Sequence, residues 1–197
     1  MPMHMDFFLS LASTYTYLAV NRAEQLAARS GVVLHWRPFS VRTIMVEQNN
    51  RPFAGKPVKL AYMWRDLERR AQRHGIPFAS IPPYPVDADG LANRVATLAA
   101  AEGWCPEFAK ASYHEWFLGN SDPGEVENVS RALRRTGRDP SELIARANSP
   151  ETHARFAAET DAARALGIFG SPTFVCGNEI FWGDDRLEEA IEWCTSH

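Results

Sequence analysis

Ser13 is the first residue whose type and place could do chemistry. It follows a short apolar run, Phe7-Phe8-Leu9-Ser10-Leu11, and opens a pattern in which Leu18, Ala19, Ala23, Leu26 and Ala27 fall at helical spacing. A serine at that junction suits a helix cap, its oxygen accepting from a free first-turn amide, and capping is the commoner role. The same hydroxyl could donate to a bound thiolate, an anion that the helix N-terminus would favour and so ionise more easily. The second segment of interest is Gly170-Ser171-Pro172-Thr173-Phe174-Val175. A cis Ser171-Pro172 bond directly before a strand would open the Ser171 backbone to an extended peptide, whereas a trans bond would make it a plain strand start. Asp184 and Asp185 precede the last helical segment, where they read as caps. Lys59 on its helix reads as a solvated charge, and Asn50 in Asn50-Arg51-Pro52 as a turn residue.

The elements that must position these residues are legible in outline. The spacing predicts a strand up to Leu11, a helix from Tyr15 stopped by Ser30-Gly31, and a strand Val32 to Trp36 ended by Pro38. A connection of that length favours parallel strands. From Thr43 to Pro57 the pattern is irregular. Helices are expected over 58–74, 90–102, 105–118, 125–136, 140–147 and 150–166, with Ile81-Pro82-Pro83-Tyr84-Pro85 as a rigid extended linker. Thr173 to Cys176 and Glu179 to Trp182 are strands joined by a Gly177-Asn178 turn, followed by a helix over 186–193. The simplest assembly is one mixed sheet built from both chain ends with a helical segment between them.

Composition narrows the class. The chain has 197 residues, 45% hydrophobic and 23% charged, with a formal net charge of -3, an ordinary globular balance that gives no support for a nucleic-acid surface. No apolar run is long enough to span a membrane, and Met5 to Leu11 reads as a strand and not as a signal peptide. Cys105, Cys176 and Cys194 lie far apart and form no C-x-x-C pair. A disulfide framework or a metal site is therefore not expected, Cys176 reads as a buried small hydrophobe, and a reducing cytoplasm fits.

Several segments in this order resemble a known family. They are Ala12-Ser13-Thr14-Tyr15-Thr16-Tyr17-Leu18-Ala19, Trp36-Arg37-Pro38-Phe39, Asn50-Arg51-Pro52, Lys59 with Tyr62 and Asp66, Phe169-Gly170-Ser171-Pro172-Thr173-Phe174, and Phe181-Trp182-Gly183-Asp184-Asp185-Arg186. The chain resembles the 2-hydroxychromene-2-carboxylate isomerases and the related kappa-class glutathione transferases, in the DsbA-like branch of the thioredoxin superfamily. The resemblance implies an α/β thioredoxin-like fold (β-α-β, then β-β-α) with a large all-helical insertion. Residues 1–42 and 161–197 would form the thioredoxin-like domain and 43–160 the insertion.

The resemblance also implies site roles and a reaction. Ser13 would be the catalytic serine that hydrogen-bonds the glutathione sulfur. Ser171, before cis-Pro172, would offer its backbone to the cysteinyl unit, Asp185 would bind the γ-glutamyl ammonium, and Asn50 and Lys59 would reach the ligand from the insertion. The family has Ser where Asp184 stands, so Asp184 would set a second acid beside the ammonium. The family usually has Pro where Thr14 stands, so Thr14 would bring a second hydroxyl near the sulfur. The implied reaction is glutathione-dependent cis-trans isomerisation of an aromatic unsaturated pyruvate by reversible thiolate addition, as in aromatic catabolism. The alternatives are a kappa-like transferase or peroxidase and a non-catalytic ligand-binding member. Family members are often homodimers. Trp36 reads as a core residue; Trp64, Trp104 and Trp116 read as core too, with the lining of an aromatic substrate pocket as the alternative.

Overall fold

Both chain ends contribute to one sheet. The computed structural model describes residues 3–50, 53, 55–84 and 90–197; Arg51, Pro52 and Pro85 of the sequence motifs lie outside them. Strand β1 (Met3–Leu9) carries Phe7 and Phe8 side by side, and both are fully buried. Neighbouring strand residues face opposite sides, so a sheet with two such residues must be covered on both. On one side Phe7 stacks against Phe174 with ring centroids 4.9 Å apart. On the other, Phe8 joins Phe39, Val41, Ile44, Ala163, Ile168 and Val175. Strand β2 (Val32–Pro38) runs parallel to β1, from Met3 opposite Val32 to Leu9 opposite Pro38. Strands β3 (Thr173–Cys176) and β4 (Glu179–Trp182) form an antiparallel hairpin against the other edge of β1, giving the order β2-β1-β3-β4. This is the expected β-α-β then β-β-α arrangement.

The first connection differs from expectation. The single helix predicted from Tyr15 is two, α1 (Thr16–Val20) and α2 (Ala23–Arg29). The Asn21 amide side chain donates to Tyr17 O at 2.8 Å, a local bond that competes with continuing the helix. The supposedly irregular stretch from Thr43 lies partly in a helix, α3 (Val41–Glu47), capped by Ser40, whose oxygen accepts from Thr43 N at 3.2 Å.

Between the two halves of the sheet lie α4 (Pro57–Arg73), α5 (Leu91–Glu102), α6 (Cys105–Phe117), α7 (Val126–Arg135), α8 (Pro140–Ala147) and α9 (Pro150–Ala165), close to the predicted spans. Three of them open with Ser149, Asp139 or Gly90 at the cap position. Trp64, Trp104 and Trp116 are core residues, and the half-buried Trp36 packs against the core through Phe7. A turn of 3-10 helix (Asp184–Arg186) leads into α10 (Leu187–Ser196), so neither aspartate caps the last helix, whose cap position is Arg186. No helix among the described residues is long and apolar enough to cross a membrane.

The cysteine expectation is corrected. Cys176 at the end of β3 and Cys194 on α10 are joined in a disulfide, with Cα atoms 5.7 Å apart. Spacing hid the pair because it forms only when α10 folds back onto β3. Cys176 is thus not a free apolar filler. Cys105 is the free thiol, fully buried, and burial pushes its pKa far above the usual cysteine range.

Gly170 is fixed by packing. The Trp182 indole lies directly on it, and a Cβ at residue 170 would come within 2.2 Å of Trp182 Nε1. Gly170→Ala is expected to cost about 1–3 kcal/mol in urea unfolding, as overpacking does. In a Trp182→Ala background most of that cost should vanish. An equal cost in both backgrounds would show that the ring is not the obstacle.

Candidate active site

The chain leaves β1 at Leu9 and turns through residues 10–15 before α1 begins. Ser13 does not cap α1. The cap position is Tyr15, with no side-chain bond, and the Ser13 hydroxyl instead donates to Ser171 O at 2.7 Å. The Ser171-Pro172 bond is cis. Ser171 Oγ accepts from Ser10 N at 2.8 Å and pairs with Thr16 Oγ1 at 2.8 Å. Pro172 O accepts from Gly183 N at 3.0 Å, which draws the segment carrying Asp184 and Asp185 to the same place. Residues 158 apart in sequence are thereby joined by one hydrogen bond.

The floor of this site comes from the helical segment. Tyr113 on α6 is buried, and its hydroxyl lies 2.7 Å from Ser13 O and 3.1 Å from Ser10 O. Burial raises its pKa well above the usual tyrosine value, so the phenol keeps its proton and acts as a donor; a hydrogen bond from Thr16 opposes the shift. Asn93 on α5 accepts from Leu11 N at 2.8 Å. Neither Tyr113 nor Asn93 was found from the sequence. Their only signal there is a polar group on the apolar face of a helix, which marks burial without naming the partner.

Helix α4 forms the wall. Lys59, Met63, Asp66 and Arg70 follow the three- and four-residue steps of one helical stripe. Thr14 is buried and its hydroxyl contacts Met63 Sδ at 3.2 Å, so the expected second hydroxyl is turned into the wall. Tyr15 donates to Asp66 Oδ2 at 3.0 Å, and the Arg70 guanidinium lies 5.7 Å from the Tyr15 ring centre. Burial, reinforced by Asp66, lifts the Tyr15 pKa far above the ordinary tyrosine value.

The two aspartates differ sharply. Asp185 is 57% exposed, and its carboxylate folds back over Gly183, which has φ +117° and no room for a Cβ. Asp184 is 1% exposed, 2.8 Å from Arg70 Nη2 and 3.8 Å from Arg22 Nη1, while Arg22 also pairs with Glu188. Asp184 therefore lies beneath the surface as a partner of two guanidinium groups. Ser13, Ser171, Pro172 and Asp185 are brought together. Lys59 is exposed at the outer end of the α4 stripe, 5.7 Å from the centre of the Phe53 ring. Asn50 is exposed after α3, its amide bonded to Met45 O at 2.8 Å. Among the described residues, neither Lys59 nor Asn50 hydrogen-bonds to the Ser13 cluster.

Burial pushes the Asp184 pKa up to about 7; Arg70 pulls it down, and the neighbouring Asp185 charge adds to the rise. A carboxyl raised on folding contributes stability that is fully present below its unfolded value of 3.8 and is lost as pH rises through about 7. Wild type is therefore expected to lose stability relative to Asp184→Asn between pH 4 and 8, by on the order of 3 kcal/mol. Urea unfolding of both proteins across that range checks this, and a difference independent of pH would refute it.

Comparison with known proteins agrees with this geometry. Residues 4–191 match the model of the DSBA-like thioredoxin domain. The chain is 28% identical over 187 residues to a 2-hydroxychromene-2-carboxylate isomerase from Sphingobium xenophagum, covering 93% of this chain and 94% of that one. It is 24% identical over 205 residues to glutathione S-transferase kappa 1 from Homo sapiens, covering 95% and 89%. A solved 2-hydroxychromene-2-carboxylate isomerase superposes with a TM-score of 0.82 at 26% identity, covering 97% of this chain and 94% of that one. With the four-stranded sheet, the cis-proline loop and a family match over nearly its whole length, the chain belongs to the DSBA-like thioredoxin domain family.

Proposed function

We propose that the protein is a glutathione-dependent cis-trans isomerase acting on an aromatic unsaturated pyruvate of the 2-hydroxychromene-2-carboxylate type. One observation carries the reading: a serine hydroxyl stands 2.7 Å from the backbone carbonyl that precedes the cis-proline, where no cysteine of the chain can serve. Cys105 is buried and hard to ionise, and Cys176 and Cys194 are spent on each other. A nucleophilic thiol at Ser13 must then arrive with a ligand.

The residues present fit glutathione. Ser171 lies where the chain enters β3, and among the described residues its carbonyl is occupied only by the Ser13 hydroxyl, so both groups can turn to an extended peptide. When the Ser13 hydroxyl moves to a sulfur, the Ser171 carbonyl becomes free to accept from the ligand's amide. Asp185, exposed to solvent, suits an ammonium group, and Lys59, exposed at the outer end of the α4 stripe, suits a carboxylate. Asn50 lies on the loop that leads to α4 and would supply an amide at the same end. Asp184 acts from below, holding Arg70 and Arg22 and leaving the ammonium to Asp185. Bound there, glutathione supplies a thiol able to add reversibly to a conjugated double bond and leave it again, with no net redox change. Ser13 donates to that sulfur and holds it ionised.

Similarity to kappa transferases favours a second reading with the same residues, in which glutathione is consumed. Stoichiometry separates the two, because an isomerase returns every glutathione. The reduced glutathione that either reading requires belongs to the cytoplasm. The Cys176–Cys194 bond weighs against that compartment, where thiols are kept reduced.

The first test titrates the protein into reduced glutathione and follows the thiolate absorbance against pH. Wild type is expected to bind glutathione with a thiol pKa below its free value. In Ser13→Ala the bound pKa should rise by about one unit or more, and turnover of a 2-hydroxychromene-2-carboxylate should fall about 100-fold. Unchanged ionisation in the variant would remove Ser13 from the chemistry; no thiolate with wild type would remove glutathione.

A further inference from the structure

The hydrogen bonds around Ser13 form a network drawn from both ends of the chain and from α6. The Ser13 hydroxyl donates to Ser171 O at 2.7 Å. The Ser171 hydroxyl, which already accepts from Ser10 N, pairs with Thr16 Oγ1 at 2.8 Å. The Tyr113 phenol has one proton, and Ser13 O at 2.7 Å is a nearer acceptor than Ser10 O at 3.1 Å. Ser10, Thr16, Ser171 and Tyr113 are all buried. Each of these polar groups must therefore find its partner inside the protein.

We infer that Tyr113 is a positioning residue for Ser13: its hydroxyl, 2.7 Å from the Ser13 carbonyl, pins that carbonyl so that the Ser13 side chain is already aimed when a thiolate arrives. The inference rests on the reading of Ser13 as the thiolate donor. Its physical content is preorganisation. A donor on a turn helps an anion most when the turn need not reorganise to present it. The Ser13 hydroxyl leaves Ser171 on ligand binding, so the Ser13 side chain loses that anchor. The residue is then held by its own amide on Ser10 O at 3.0 Å and by Tyr113 on its carbonyl. The same phenol ties α6 to the end of β1, so a helix remote from the cis-proline loop in sequence sets the position of the donor.

The test compares wild type with Tyr113→Phe and Tyr113→Met, both of which lack the hydroxyl. Three quantities are read: the pKa of bound glutathione from thiolate absorbance, the affinity for S-methylglutathione, which has no thiol to ionise, and the thermal unfolding midpoint. Tyr113→Phe is expected to raise the bound thiol pKa by about half to one unit. Affinity for S-methylglutathione should stay within about twofold, a change worth under half a kcal/mol. Should Tyr113→Phe fail to fold, Tyr113→Met, a flexible apolar filler, carries the test with the same expected rise. A folded Tyr113→Phe whose bound thiol ionises as in wild type overturns the inference. So does a loss of S-methylglutathione affinity as large as the loss of ionisation, since that is general damage to the site. Wild type that ionises no glutathione is a separate result: it overturns the reading of the site, and this inference with it.

Discussion

The peptide groups just beyond β1 set the terms for the rest of the molecule. At Leu9 the strand ladder ends, yet residues 10 and 11 remain buried, so their backbone donors and acceptors need partners from elsewhere. Phe39 N reaches back to Leu9 O, Ser171 Oγ takes Ser10 N, and Asn93 Oδ1 takes Leu11 N. Tyr113 serves Ser10 O and Ser13 O. These partners come from four separate places along the chain. Each unmade bond at such depth costs about 1–3 kcal/mol, so the turn that carries Ser13 forms only when the sheet, the cis-proline loop and the helical segment are all assembled.

That requirement explains why the helices between the strands cannot be an independent appendage. Helices α5 and α6 carry many small buried residues, Ala92, Ala96, Ala99, Ala109 and Ala111; α5 packs against β2, and α6 packs against α1, α5 and α7. Small side chains let the helix backbones approach closely enough for Asn93 and Tyr113 to reach the β1 turn. The aromatic cluster of Tyr17, Tyr113, Trp116 and Phe117 then fills the space beside it, with Tyr17 stacked on Phe117 at 3.9 Å. Burial pushes the Tyr17 pKa to about 12, and its hydroxyl donates to Pro77 O, which ties the end of α4 to α1. Hydrophobic packing supplies the mass of this contact, and the buried hydroxyls and amides fix its register.

What was legible in the sequence follows the range of the forces involved. The Thr173–Cys176 and Glu179–Trp182 hairpin could be read to the residue because a Gly-Asn turn between two apolar runs is a local signal. Ser13, Ser171, Pro172 and Asp185 could be singled out because each lies beside the end of a strand, in short motifs that stay recognisable. Helix α3 was missed because its first residue, Val41, follows the strand closely and only Ser40 marks the start. The break at Asn21 was missed because the apolar period runs straight through it, while the Asn21 side chain settles the matter locally. Tyr113, the Asp184–Arg70 pair and the Cys176–Cys194 bond were beyond sequence reading for one shared reason. Each partner lies on a different element, and only the packing of helices onto the sheet sets the two side by side.

The contrast between Asp184 and Asp185 shows how two adjacent carboxylates are kept apart. Two adjacent carboxylates repel, and leaving both at the rim would cost affinity for any ligand that brings a carboxylate with its ammonium. The 3-10 turn after Gly183 sends the two side chains in opposite directions. Asp184 goes inward, where Arg70 at 2.8 Å and Arg22 at 3.8 Å offset its charge, and Asp185 stays in solvent. Arg70 is also held by Asp66, and Asp66 by Tyr15, so the charges of α4 are spoken for along its inner stripe. Lys59, at the outer end of the same stripe, carries no ion pair among the described residues, and Asp185 is only loosely engaged at 4.0 Å from Arg70. Lys59 and Asp185 are thus the charges of this group least engaged by the protein itself, one at the outer end of α4 and the other on the 3-10 turn.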